Sequence, residues 1–376
     1  MRTFFAYVVL ISCLSIYMVS SHRGLMRKLN IYKTSTDGWF RSDRRYGDLY
    51  GRAFLPYFRK HYHQTGSVRA DSCGVAKRVN LYAIGDSYLW MFADSAKFYC
   101  GVDRFTSAKT NRREKLSVVL DSSKINVLLF EISERNIRSI FSDSLYIGDM
   151  VRPQHQGSQT TIDNMDMTDQ AVHDKPGSPH SRQVPHSMIG SSKVMDLVFN
   201  KDINTNLESN LWDVSWFTPV KEFKAALNYN LFGVVDKGVY VSTDRHRLYF
   251  NETIDTAYFS SSFKPVPENT VDSIVDKLND LYLKARSAGF RKVYLSIIPN
   301  PVSLLEPRFQ GLIYNRLVDR IQQSPRLKIS CIDLLPVFSK WKEDVYYRAD
   351  THWTPFGAQV WLDEVNKELY KTIEER

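Results

Sequence analysis

Four short runs of nearly uninterrupted apolar residues set the strongest limit on what this chain can fold into: Val79–Ile84, Ile125–Phe130, Lys292–Ile298 and Leu327–Asp333. They are too short to cross a membrane and show no alternation, which is the pattern of strands covered on both faces of a parallel sheet. Segments of helical period lie among them. Val271, Ile274, Val275, Leu278, Leu281 and Tyr282 fall on one helical face, and Ile313, Leu317 and Ile321 mark another. A last helix opens with Thr354 as N-cap and Pro355 at its first position, and it turns Ala358, Trp361, Val365 and Leu369 inward. This alternation predicts an α/β architecture with a doubly wound parallel sheet.

The chain has 376 residues, room for one large domain with an insertion or for two domains. The pattern breaks between the second and third runs, placing the insertion at about 141–270. Within it, residues 151–192 are poor in large apolar side chains and are expected to form a mobile loop. Its histidines, His155, His173, His180 and His186, lack metal-ligand spacing, so no metal is expected. The amide-rich segment Asn200 to Asn210 reads either as turns or as a rim that hydrogen-bonds sugar hydroxyls. The net charge of +9 is scattered and accompanies no nucleic-acid fingerprint, so no nucleic-acid partner is expected.

Phe4 through Ser20 carry no charge, with Arg2 before them and His22, Arg23, Arg27 and Lys28 after. That is about one bilayer span. Residues 1–22 are therefore read as a membrane anchor or uncleaved signal, with the remainder exported. Residues 23–75 read as an aromatic, basic lead-in with turn signals at Asp37-Gly38 and Gly47-Asp48 and nothing catalytic, and residues 76–376 as the catalytic domain. Of the 4 cysteines, Cys13 lies in the apolar segment, Cys73 and Cys100 could pair in an exported chain, and Cys331 reads as a buried free thiol.

The first apolar run leads directly into Gly85-Asp86-Ser87, so a serine hydroxyl stands at the carboxyl edge of the sheet, near backbone N–H groups able to stabilise an oxyanion. A serine needs a base to take its proton, and a histidine base needs a carboxylate to fix its tautomer. Asp350 and His352, two residues apart just before the last helix, supply both.

These residues also resemble a family. Gly85-Asp86-Ser87 looks like the first block of SGNH hydrolases, and Asp350-Thr351-His352-Trp353 looks like the Asp-x-His-Trp signature of the alginate O-acetyltransferase branch, the AlgX/AlgJ-like proteins. The resemblance implies an SGNH, flavodoxin-like fold behind the anchor, with Ser87 as nucleophile, His352 as base and Asp350 as its orienter. It further implies O-acetylation of a glycan acceptor in the bacterial cell envelope, outside the cytoplasmic membrane. The acetyl group would come from a membrane-bound O-acyltransferase partner, with no cofactor. Ordinary SGNH hydrolases carry Asp-x-x-His and a Gly-x-Asn-Asp block, whereas this chain has Glu131-Ile132-Ser133-Glu134-Arg135-Asn136 at the comparable place. Asn136, Asn300 and Arg135 are therefore the candidates for the oxyanion position, and Asp86, Glu134 and Trp353 are further candidates for substrate contact. Glu134 and Arg135 could instead form a structural ion pair. Water and a sugar hydroxyl use the same triad, so an esterase stays open, as does a catalytically silent glycan-binding module.

Overall fold

Three of the apolar runs become the middle of a five-stranded parallel sheet, and the fourth shortens to one of its edges, in the computed structural model, which describes residues 2–21, 26, 46–60, 67–71, 73–110, 114–142, 151–153, 207 and 217–375. The strands are β1 (Val79–Gly85), β2 (Val102–Lys109), β3 (Ile125–Ser133), β4 (Lys292–Ile298) and β5 (Ser330–Ile332), in the order β5-β4-β3-β1-β2. β1, β3 and β4 are buried along almost their whole length. Leu128, Phe130 and Ile132 face one core layer with Val271, Ile274, Val275, Leu278 and Leu281 of the helix Glu268–Ala288. Val127 and Leu129 face a second layer with Ala358, Trp361, Val365 and Leu369 of the helix Pro355–Glu374. The α/β class and the doubly wound parallel sheet are as the periodicity predicts. Read from its other edge the strand order is 2-1-3-4-5, the flavodoxin-like order, in which the winding reverses between β1 and β3 and opens a crevice at their carboxyl ends.

Two elements differ from expectation. β2 was not among the expected strands: it is the sheet edge, and its residues Val-Asp-Arg-Phe-Thr-Ser-Ala-Lys are largely exposed or half-exposed, so charge masks the pattern. Ile313 is not on the helix with Leu317 and Ile321. It lies 71% exposed in a two-stranded hairpin, Arg308–Phe309 with Leu312–Ile313, and the helix starts only at Leu317, after Arg316 takes a left-handed φ of 55°.

By contacts the chain divides into two units, residues 1–42 with 155–217 and residues 43–154 with 218–376. The sheet belongs to the second, together with residues 46–60 of the lead-in, whose Leu49, Tyr50, Ala53, Leu55 and Phe58 form a satellite core with Val239, Leu248 and Ala349. The expected loop at 151–192 and the Asn200–Asn210 rim lie outside the described residues, save Val151–Pro153, which pairs with Leu116–Val118, and Leu207.

In the first unit the helix Arg2–Ser21 is apolar and exposed, with Thr3–Ser21 long and apolar enough to cross a membrane. Its Ser12 and Ser21 hydroxyls donate back to the Val8 and Tyr17 carbonyls, so they present no unsatisfied donor to an apolar surrounding.

Candidate active site

Ser87 is the first residue of a short helix, Ser87–Phe92, that starts where β1 ends. Gly85 is required there by close approach: a Cβ would stand 2.7 Å from Glu131 Oε2 and from the Leu89 side chain. Asp86 caps the helix, its Oδ1 accepting the Tyr88 N–H at 3.1 Å. Its Oδ2 accepts the Ser133 N–H and hydroxyl and the Asn136 amide at 3.0, 2.6 and 2.9 Å. One carboxylate thus ties the nucleophile turn to the end of β3. As the first helical residue, Ser87 has a backbone N–H without an acceptor in its own helix.

On the other side of the crevice, residues 345–354 form a hairpin-like loop. Tyr346 bridges Trp353, the Tyr347 N–H donates to the His352 carbonyl at 3.2 Å, and the Thr354 N–H to the Val345 carbonyl at 2.8 Å. Thr354 then caps the last helix, accepting the Gly357 N–H at 3.0 Å. Arg247, buried, holds the outside of the loop by donating to the Tyr346 and Tyr347 carbonyls at 2.8 and 2.7 Å. The loop carries the base into reach: Ser87 Oγ lies 2.8 Å from His352 Nε2, and His352 Nδ1 lies 2.7 Å from Asp350 Oδ1, which also accepts the His352 N–H at 2.9 Å. Burial works against a charge on Asp350, but the hydrogen bond and charge of His352 outweigh it and hold this carboxyl below the usual range.

The remaining sequence candidates separate by burial. Asp86, 1% exposed, is consumed by the contacts above and is no substrate contact. Asn136 gives its amide to Asp86, so it does not aim that donor at an oxyanion. Glu134 and Asn300, both buried, lock the ends of β3 and β4 together, the Asn300 N–H donating to Glu134 Oε2 at 2.8 Å. Burial pushes the Glu134 carboxyl up. Among the described residues no Glu134–Arg135 ion pair forms, because Glu134 points into this strand-end cluster. Trp353 is fully buried, edge-on to Tyr88 and tilted against Trp361, and serves as packing for the loop.

Arg135 alone of that group stays available. Its guanidinium lies over the Tyr88 ring, 5.6 Å from the centroid, and the same ring sits 5.1 Å from the His352 imidazole. Among the described residues no hydrogen bond or ion pair engages its nitrogens. Burial works against its charge, but Tyr88, Asp86, Asp48 and Asp350 outweigh that and keep it protonated.

Three contributors were not legible in advance. Tyr88 donates its hydroxyl to the Thr351 carbonyl at 2.5 Å and braces both His352 and Arg135. Asp48, in the lead-in where no catalytic residue was expected, reaches the triad loop across 302 residues, its N–H donating to Asp350 Oδ2 at 3.0 Å. Glu131, fully buried on β3, accepts the Asp86 N–H on Oε2 at 2.8 Å, and its Oε1 has no hydrogen-bond partner among the described residues. For Asp48 the available signal was the Gly47-Asp48 turn; for the other two the sequence offered none.

Burial, reinforced by Asp86, pushes the Glu131 carboxyl well up, so the folded protein holds a proton that the unfolded chain releases. The corresponding stability is present in full below the unfolded-chain pKa and is lost as the pH rises through the folded one. Glu131→Gln, neutral at every pH, is therefore expected to lose less thermal stability than the wild type as the pH rises above the usual carboxylate range. Melting temperatures of both over that rise in pH check it, and parallel curves would refute a proton on Glu131.

A serine, histidine and aspartate joined by hydrogen bonds at the switch point of a 2-1-3-4-5 sheet define a nucleophilic serine site on an SGNH-like α/β fold. The family model of the SGNH hydrolase-like domain of acetyltransferase AlgX matches residues 303–376, the stretch that holds Asp350, His352 and Trp353 but not Ser87. The resemblance to that branch is thus borne out over the C-terminal part of the chain. No curated protein and no solved structure matches.

Proposed function

We propose that the protein is a serine O-acetyltransferase that acts on a polysaccharide outside the cytoplasmic membrane. The observation that carries this reading is the unbroken chain from Ser87 Oγ through His352 to Asp350, with its histidine half inside the AlgX-like stretch. Ser87 Oγ attacks the acetyl carbonyl of the donor as its proton passes to His352 Nε2. The tetrahedral oxyanion is stabilised by the Ser87 N–H and by the guanidinium of Arg135, in place of the asparagine of ordinary SGNH hydrolases. Collapse returns the proton to the leaving group and leaves acetyl-Ser87. A glycan hydroxyl then gives its proton to His352 as its oxygen attacks the acetyl carbonyl, and collapse breaks the ester to Ser87, whose Oγ takes the proton back from His352.

Two features support a location beyond the membrane. Cys73 and Cys100 form a disulfide with their Cα atoms 5.7 Å apart, a bond that persists in oxidising compartments. The apolar helix Arg2–Ser21 suits an anchor in the cytoplasmic membrane. An anchored enzyme is placed to receive acetyl groups from a membrane-bound O-acyltransferase.

The test is intact-mass spectrometry of the full chain after exposure to an activated acetyl ester. A single acetyl adduct that acetylated-polysaccharide precursors discharge faster than water does is the expected result. Discharge to water alone makes the protein an esterase, and no adduct leaves glycan binding without catalysis.

A further inference from the structure

The triad as described needs a residue from outside the sheet domain's motifs. Asp350 has two carboxylate oxygens; Oδ1 is taken by His352, and Oδ2 accepts the backbone N–H of Asp48 at 3.0 Å. The Asp48 side chain grips the residue between the two triad members, accepting the Thr351 N–H on Oδ1 at 2.8 Å and the Thr351 hydroxyl on Oδ2 at 2.7 Å. The Leu49 and Tyr50 N–H groups converge on the Ala349 carbonyl, both at 3.1 Å. All three residues of the Ala349-Asp350-Thr351 turn are thus pinned by the segment 48–50.

Gly47 makes this docking possible. Its φ is +107°, and a Cβ there would stand 2.1 Å from the Ala349 carbonyl oxygen. The close approach admits only glycine. Beyond the dock, Tyr50 and Glu222 bond at 2.9 Å and Arg59 pairs with Glu222 at 3.0 Å, so the segment is itself held by the helix Thr218–Phe232.

We infer that Asp48 is a positioning residue of the active site, a fourth member that aims Asp350 and His352 at Ser87 and makes catalysis depend on the lead-in segment. The inference rests on the proposed acyl-enzyme chemistry, which it deepens. The Asp48 and Asp350 carboxyls and a ring nitrogen of His352 lie within 4.8 Å of one another; burial and the Asp350 charge push the Asp48 carboxyl up, so its part is to hold the turn by its hydrogen bonds. A carboxylate that only stabilised the fold would leave turnover per folded molecule unchanged.

The experiment compares full-chain Asp48→Ala, Asp48→Asn and Thr351→Val with the wild type. Asp48→Ala is expected to lower kcat by roughly 10–100-fold with KM unchanged, as a displaced catalytic group does. Asp48→Asn, which can still accept the Thr351 N–H and pair with its hydroxyl, is expected to recover most of the loss. Thr351→Val, losing one of the two bonds, is expected to lower kcat severalfold; this variant decides the matter should Asp48→Ala fail to fold. Wild-type kcat in folded Asp48→Ala or in Thr351→Val overturns the inference. A second readout is independent of turnover: the downfield proton resonance of the His352 Nδ1–H bond to Asp350, assigned by its absence in His352→Ala, is expected to shift or vanish in Asp48→Ala. If the wild type forms no acetyl adduct, the acyl-transfer reading fails alone, and an unmoved resonance fails this one.

Discussion

Ser87→Ala is expected to abolish the acetyl adduct and to reduce turnover by at least about 10⁴-fold while the protein stays folded. The size follows from the chemistry: without Oγ no covalent intermediate can form, and only oxyanion stabilisation and substrate placement survive. The fold should tolerate the change, because the cap on this helix is Asp86 and the buried residues of its first turns are Tyr88 and Leu89. Ser87 contributes no packing that alanine lacks apart from the bond to His352. Intact-mass labelling and melting temperature, measured on the same preparation, separate loss of the nucleophile from loss of the fold. Adduct formation at the wild-type rate in Ser87→Ala would place the acyl group on another residue and dissolve the triad.

Arg135→Met is expected to lower kcat by about 10²–10³-fold, the loss of about 2.7–4 kcal/mol that follows removal of one oxyanion donor, with little change in KM. Among the described residues the guanidinium makes no hydrogen bond or ion pair, and it is held by the face of Tyr88 at 5.6 Å. A cation so placed costs little reorganisation when negative charge develops on the carbonyl oxygen. Arg135→Lys keeps the charge but loses the planar fork and its stacking, so an intermediate loss is expected. A rise in KM with kcat intact would reassign Arg135 to ground-state binding of the substrate.

What the sequence by itself determined is what depends on neighbours along the chain. Continuous apolar runs declared β1, β3 and β4 because strands covered on both faces bury mostly apolar side chains. The helical spacing of Val271 to Leu281 and the Thr354-Pro355 start declared two core helices for the same local reason. Ser87 was visible because it follows a strand, and Asp350 and His352 because a single residue, Thr351, separates them. Their joining was an inference that only the fold could make real. The tertiary structure alone decided which polar residues face the crevice. Asp86, Glu134 and Asn300 looked like site residues and are buried strand-end ties, whereas Arg135, next to Glu134, makes no hydrogen bond or ion pair among the described residues and lies over the Tyr88 ring. β2 stayed hidden because an edge strand carries charge, and Asp48 because a hydrogen bond across 302 residues leaves no periodic trace in either segment. Local propensity writes the elements, but burial and long-range pairing are properties of the packed chain, and they chose the residues that surround Ser87.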